Sequence, residues 1–242
     1  MKEKKNKNQS IENEEFIEDE LTEEPKGKKV KADKIKEPVE KKPKKPKNRS
    51  KYTSKYFKKF SGRAEDSYED MLHEDYKHVI NRAHQLSSIK ESDYESLIVI
   101  TVPDAFDHKG KVSYRLDKKP DGTYTLLYDQ ALVTVLFFGL DSLFYHQANV
   151  DHRNGHIAFD VAGEFNYFDV VHMETSIKYD NNDHPKYIML DLEIGLADGT
   201  IVPFHLRNHH IHSEYELNTL LTETESKILE ILKSKVRTSR KL

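Results

Sequence analysis

Four histidines near the predicted end of a strand carry side chains that can bind a metal ion. The cluster comprises His205, His209, His210 and His212, with Glu214 and Glu216 beyond it. Imidazole and carboxylate groups are competent ligands of zinc or iron. The spacing does not give the His-Glu-x-x-His pattern of a metal-binding helix, so exposed loop histidines are the simpler interpretation. A metal-dependent enzyme that uses the His205–His212 cluster is kept as an alternative, and we assign no catalytic residue, metal or cofactor.

Lysines form the second group with a definite chemistry. From Pro25 to Phe60 the chain has sixteen Lys or Arg against three acids (16 − 3 = +13), and Ile11 to Glu24 before it has eight acids and no base. Such a basic arm is predicted to bind a polyanion, either nucleic acid or an anionic membrane surface. Its candidate anion- or partner-binding residues are Lys41, Lys42, Lys44, Lys45, Lys47, Arg49, Lys51 and Lys55. The alternative is a solvated tail that only aids solubility.

Aromatic side chains interleave with the last lysines of this arm. They are Tyr52, Tyr56, Phe57 and Phe60. Aromatic rings among lysines can stack on nucleic-acid bases or enter lipid headgroups. They can equally be the place where the tail docks onto the folded domain.

Composition and missing motifs limit the function classes. The chain has no cysteine, which excludes disulfides and thiol catalysis and fits a cytoplasmic location. The N-terminus has no apolar segment after its first lysines, so we expect no signal peptide. Ala131 to Leu140 is the most apolar run and is too short to span a bilayer, which needs about 20 residues. Neither a glycine-rich phosphate loop nor a Gly-x-Ser-x-Gly elbow occurs, and the sequence does not identify an enzyme.

The chain divides into three predicted parts. Residues 1–60 are predicted to be a disordered, charged tail, acidic and then basic, because they have too few large apolar side chains to offset the entropy of ordering. Residues 61–92 contain an amphipathic helix, with an apolar stripe at spacings of three and four over residues 66–87. Residues 93–240 are predicted to form an antiparallel β domain that ends in a helix.

Alternating side chains predict the strands of this β domain. In Tyr187 to Ile194 every second residue is apolar, which is typical of a strand with one buried face. Asp198-Gly199 then predicts a tight turn. Pro203 interrupts the following strand and therefore predicts an edge position or a bulge. The run from Leu132 to Phe138 is apolar on both faces, and periodicity alone leaves a central strand and a buried helix open.

The C-terminal helix carries clear capping signals. Thr222 and Glu225 have the spacing of a capping box, and an apolar stripe follows. Lys233, Lys235 and Arg237 occupy the last turns, where basic side chains favour the negative end of the helix dipole. The predicted fold class is α+β: an antiparallel sheet or partly open barrel with a capped C-terminal helix, an N-terminal helix and a disordered tail.

The segment Phe168-Asp-Val-Val-His-Met-Glu174 is followed by a meander with Asp198-Gly199, a strand with Phe204 and the helix. In this order of elements residues 95–237 resemble bacterial pleckstrin-homology-like domains, and the resemblance is most specific at that segment. It implies a binding or scaffold module rather than catalysis. It also implies a lipid-phosphate pocket with Lys and Arg in the first hairpin loop, where this chain has Lys118 and Lys119 without an arginine pair.

Together these features predict a cytoplasmic, non-enzymatic binding or scaffold module that engages a protein partner, with the basic arm for localisation. The main alternative is a nucleic-acid-associated protein that binds through the arm. The sequence identifies neither the partner nor the oligomeric state.

Overall fold

Three α-helices and ten strands make up the part of the chain that a computed structural model describes, residues 48–63, 65–104, 111–181, 183, 187–210 and 220–241. The helices are α1 (Arg49–Tyr56), α2 (Asp66–Ser87) and α3 (Glu223–Ser239). The first strands are β1 (Ser61–Arg63), β2 (Ser96–Pro103), β3 (Tyr114–Lys118), β4 (Tyr124–Tyr128) and β5 (Gln130–Phe138). The others are β6 (Ser142–Asp151), β7 (His156–Asn166), β8 (Val170–Tyr179), β9 (Tyr187–Leu196) and β10 (Ile201–His210).

The strands form three sheets. Four strands pair in the order β2-β5-β6-β7, three in the order β10-β9-β8, and three in the order β1-β3-β4. All pairings are antiparallel except that of β1 with β3. The predicted α+β class is therefore confirmed, and the sheets do not join into a closed barrel within the described ranges.

The main core lies between the four-stranded sheet, the β10-β9-β8 sheet and α3. As the alternation predicts, Ile188, Leu190, Leu192 and Ile194 of β9 are all buried. β10 lies at the edge of its sheet, as Pro203 predicts, and has a bulge between His205 and Arg207. Asn208 Nδ2 donates a hydrogen bond of 3.3 Å to the Pro103 carbonyl, so the end of β10 lies beside the end of β2.

A second core lies on the other side of the four-stranded sheet, where α2 packs against β5, β6 and β7. Val79 and Ala83 of α2 are fully buried there, opposite Val133 and Val135 of β5. β5 is a central strand with an apolar core on each face, which explains why its sequence shows no period of two. α2 has the residue bounds that the stripe predicts. None of the described helices is both long and apolar enough to cross a membrane.

Helix α1 lies within the range that the sequence assigns to the tail, and it packs onto the folded body. Thr53 and Tyr56 are buried, and the ring of Tyr56 stacks on that of Tyr68 in α2 with 4.5 Å between ring centroids. The structure thus differs from the predicted boundary at residue 60, because Tyr52, Tyr56 and Phe57 pack onto the folded body, whereas Phe60 is exposed.

Candidate docking groove

Two features of the sequence, the capping box and the apolar stripe, hold helix α3 in its position. Thr222 Oγ1 accepts a hydrogen bond of 3.3 Å from the Glu225 N–H, and Glu225 Oε2 accepts one of 2.7 Å from the Thr222 N–H. This is the predicted capping box. The apolar stripe of residues 228–236 is buried in the main core. Its burial sets the rotation of the helix and leaves Lys233 and Arg237 exposed at the C-terminal end.

A buried ion pair ties the start of α3 to the sheet. Arg207 of β10 is 3% exposed and Glu225 is 5% exposed. Arg207 Nε donates to Glu225 Oε1 at 2.8 Å, and Nη2 donates to Glu225 Oε2 and, at 3.2 Å, to the Leu220 carbonyl. Because a buried charge without its partner is costly, this pair holds the helix in one place on the strands.

Strand β8 runs along the outer edge of the β10-β9-β8 sheet. It pairs with β9 on one side, and no described strand pairs with it on the other. An irregularity in the register between Val170 and His172 turns Val171 outward, where it is 60% exposed. Phe168, just before the strand, is 69% exposed. An open strand edge with apolar side chains is a surface that another chain can pair with.

A groove of about 260 Å³ separates this edge from α3. Its lining consists of Val170, Val171, His172, Met173, Lys233, Val236, Arg237 and Arg240. Because four consecutive residues of β8 line it, the groove is bounded by the backbone edge and not only by one face of the strand. Arg240 donates a hydrogen bond from Nη2 to the Val170 carbonyl and so links the end of α3 to the start of β8.

The groove is electropositive. Lys233 and Arg237 belong to α3, Arg240 follows it directly, and the lining contains no carboxylate. The nearest acid on β8 is Glu174, an exposed residue with Oε2 3.3 Å from His172 Nε2. The arrangement thus combines backbone groups that can form a strand ladder with cations that attract carboxylates.

Five of the eight predicted anion-binding residues lie outside the described residues. They are Lys41, Lys42, Lys44, Lys45 and Lys47. Arg49 has a structural role: its Nη2 binds the carboxylate of Asp75 and its Nε donates to the His152 carbonyl at 2.8 Å. Asp75 is buried, and its Oδ2 lies 2.7 Å from His152 Nδ1, so Arg49 joins α1 to α2 and to the β6–β7 turn.

The other two predicted residues lie on α1, away from the groove. The Lys51 side chain is exposed, and the Lys51 backbone N–H donates to Asn48 Oδ1 at 2.9 Å. Lys55 lines a cavity of about 500 Å³ beside α1 and β1. The described candidate residues of the basic arm, Arg49, Lys51 and Lys55, therefore do not line the groove.

The histidine cluster is described only in part. His205 is exposed, with Nδ1 2.7 Å from Asp191 Oδ1. The side chains of His209 and His210, and all of His212, lie outside the described part of the chain. Within the part that is described, no three His, Asp or Glu side chains are placed to hold a metal ion.

The two lysines that the family resemblance points to lie on the β3–β4 hairpin. Lys118 Nζ is 5.5 Å from the centroid of the Tyr124 ring, and Lys119 is half-buried. This hairpin belongs to the β1-β3-β4 sheet and does not line the groove.

The sequence does not predict the groove, because the bases of α3 and the residues of β8 that line it each fit a pattern within their own element. The bases in the last turns of α3 match the helix dipole, and Val170 to Met173 match a strand. Lys235 has a different role, since its Nζ is 2.5 Å from Glu95 Oε2. A signal was nevertheless present: Phe168 and Val171 are large apolar residues in a segment whose alternation fails, which is typical of an exposed edge.

Comparison with known proteins gives no relative from which a role could be transferred: no protein-family model, no curated protein and no solved structure matches this chain.

Proposed function

We propose that this protein is a non-enzymatic binding module that holds a protein partner in the groove between β8 and α3. The observation that carries the proposal is the open edge of β8 beside three cations at the C-terminal end of α3. The partner segment would be an extended, acidic peptide that adds a strand to β8. The basic arm would localise the module, as the sequence predicts.

The backbone supports strand addition. An edge strand offers N–H and C=O groups that pair with an incoming strand, and side chains in pockets on either side give specificity. Val171 and Met173 lie on the β8 side of the groove and can contact alternate side chains of such a peptide.

The charges support an acidic peptide. Lys233, Arg237 and Arg240 lie along one wall, and complementary charges increase the rate of association and exclude basic sequences. Arg240 is already bonded to the Val170 carbonyl, so Lys233 and Arg237 have the larger role in binding carboxylates.

The proposal extends to the fold family. Two successive antiparallel meanders, β2-β5-β6-β7 and β8-β9-β10, followed by a helix that packs between them, are the order expected of a pleckstrin-homology-like domain. On this view α1, α2 and the β3–β4 hairpin are additions to that domain. A fold alone does not give a function, so the docking role rests on the groove. A cytoplasmic location also belongs to the proposal and rests on composition.

Site-specific photo-crosslinking tests the docking role. A benzophenone amino acid is placed at Val171 in the full chain, in the cells from which the protein comes, and at Val161 of β7 as a control on the edge of a different sheet. We expect one dominant protein adduct at position 171 and none at 161. Peptide mapping of the adduct should give an extended segment rich in Asp and Glu.

A charge variant makes the test specific for the groove. Lys233→Glu with Arg237→Glu should abolish the adduct at position 171. The matched control, Lys227→Glu with Lys241→Glu, changes two exposed bases that do not line the groove and should leave the adduct intact. Absence of a protein adduct at 171, or equal adducts at 171 and 161, would contradict the proposal.

A further inference from the structure

A second electropositive cavity, independent of the docking groove, lies where the lysine-rich sequence meets the folded body. It has a volume of about 500 Å³, and its wall contains Lys55, Lys58, Lys59, Arg63, Arg115 and one carboxylate, Glu65. The lining therefore has a net charge of +4 (5 − 1). We name it the basic pocket.

The inner wall of the basic pocket is rigid. Arg115 of β3 is 7% exposed, its Nε donates to Asp117 Oδ1 at 2.6 Å, and its Nη1 donates to the Tyr56 carbonyl at 2.7 Å. The guanidinium carbon lies 3.9 Å from the centroid of the Tyr56 ring. Gly62 allows this arrangement, because a Cβ at that position would overlap the guanidinium.

The charge states of these groups are fixed. Burial, and then the hydrogen bond to Asp117, raise the pKa of Tyr56 well above its ordinary value, so the phenol stays protonated and donates to Asp117. Burial alone would lower the pKa of Arg115, but the hydrogen bond and charge of Asp117 outweigh it and the pKa is raised. The guanidinium is therefore charged at physiological pH.

The outer wall consists of lysines whose charges are not neutralised within the described residues. Lys55, Lys58 and Lys59 are exposed, and none has an ion pair with another described residue. Like charges held around one cavity repel each other and attract an anion. The one acid, Glu65, accepts a hydrogen bond of 2.8 Å from the Tyr52 hydroxyl, and its Oε1 lies 3.8 Å from Arg115 Nη2.

The sequence that leads into the basic pocket indicates what kind of anion enters it. The pocket lysines are the last of the sixteen bases between Pro25 and Phe60. A long run of cations that ends in a cavity matches a polymer of phosphates better than a single small ion. A membrane presents its phosphates in a plane, whereas this surface is concave.

We propose that the basic pocket binds the phosphodiester backbone of a single-stranded nucleic acid. The strand enters between the lysines that follow α1 and the wall formed by Arg63 and Arg115. It is bound through its charge and not through its base sequence.

Fluorescence anisotropy of the full chain with a labelled oligothymidylate of about 20 nucleotides tests this. The variant is Lys58→Ala with Lys59→Ala, both exposed in the turn after α1. The control, Lys77→Ala with Lys227→Ala, removes the same charge from exposed positions of α2 and α3. We expect binding about tenfold weaker for the pocket variant and within about twofold of wild type for the control. The slope of log affinity against log salt should fall by about 1 to 1.5 for the pocket variant only.

Every other outcome overturns the proposal. Equal losses in the two variants would show a general charge effect. Vesicles of phosphatidylserine that bind with the same dependence on Lys58 and Lys59, without binding of the oligonucleotide, would show a lipid surface. Tripolyphosphate that competes at the affinity of the oligonucleotide would show a small-anion site. Circular dichroism of both variants should match wild type, since all four lysines are exposed.

Discussion

Strands β7 and β8 are both outer strands with exposed apolar side chains, but their surroundings differ. β7 carries Asp160, which Arg82 of α2 binds through Nε and, at 3.1 Å, through Nη2. β8 has α3 beside it across a groove lined with bases. Phe159 of β7 and Val171 of β8 are exposed to a similar degree, 64% and 60%. The two edges therefore differ in the charges beside them and not in the exposure of their apolar side chains, and the proposed docking site depends on that difference.

The helix beside β8 depends on the buried pair of Arg207 and Glu225. Glu225→Ala removes one member and leaves an uncompensated buried guanidinium, together with a broken capping box. We expect the free energy of unfolding to fall by about 3–5 kcal/mol, the largest effect among these predictions. Urea unfolding followed by circular dichroism measures it.

Glu223→Ala is the control for this change. Glu223 lies in the same first turn but is exposed, so its loss should cost about 0.5 kcal/mol through the helix dipole. Equal costs for the two variants would mean that the buried pair does not hold α3 against β10.

The sheets that contain β7 and β8 differ in how tightly they pack around a glycine. Gly163 of β7 faces Tyr145, and a Cβ there would overlap the tyrosine ring. Gly195 of β9 faces β8, and a Cβ there would lie 3.2 Å from His172 Cβ. Gly163→Ala should cost about 1–3 kcal/mol because the ring must move. Gly195→Ala should change stability by less than about 1 kcal/mol, since reduced backbone freedom in the unfolded chain offsets the close contact.

Thermal unfolding of the two alanine variants, side by side, makes this comparison. A larger loss for Gly195→Ala would mean that the sheet of β8 is packed more tightly than that of β7.

Local patterns in the sequence predict the elements well. The stripe of α2 gives its bounds, the capping box gives the start of α3, and the alternation of β9 gives its buried face. Each of these signals lies within one element, where a period or a cap reports directly on burial. β1, with three residues of which one is glycine, has no such signal and is defined only by its pairing with β3.

The candidate site is predictable only in part, because its residues come together through the fold. Arg49 and Lys51 belong to the same basic stretch, yet Arg49 binds Asp75, which lies 26 positions further along the chain, and Lys51 faces solvent. No spacing in the sequence distinguishes them. The groove likewise joins β8 to a helix about 60 residues later, which a pattern within one element does not reveal.

A buried histidine beside β7 makes the stability of this sheet depend on pH. Burial lowers the pKa of His146 below 6.5, against the raising effect of Asp160, and His146 is fully buried. Below about pH 6.5 the unfolded chain therefore binds a proton that the folded protein resists, and stability falls as the pH falls. Asp160 has a lowered pKa, chiefly through its hydrogen bond to Arg82, so its contribution is lost only as the pH falls below about 4.

Urea unfolding at about pH 7.5 and about pH 5.5 isolates the histidine, because Asp160 stays ionised over this range. His146→Gln should reduce the loss of stability between the two pH values. His156→Gln, a change at an exposed residue of the same sheet, should leave that loss unchanged. An unchanged loss in His146→Gln would contradict the assignment.

Substitutions at the two edges should have the smallest effect on stability, and the one at β8 should have a large effect on binding. Val171→Asp and Val161→Asp each change one exposed side chain, so each should cost about 1 kcal/mol or less. With the photo-crosslinker at Phe168, beside the groove, Val171→Asp should abolish the protein adduct, because an added carboxylate repels an acidic peptide and occupies the bases of α3. Val161→Asp should keep the adduct. If both variants keep it, the partner does not lie along β8, and the difference between the two edges has no role in docking.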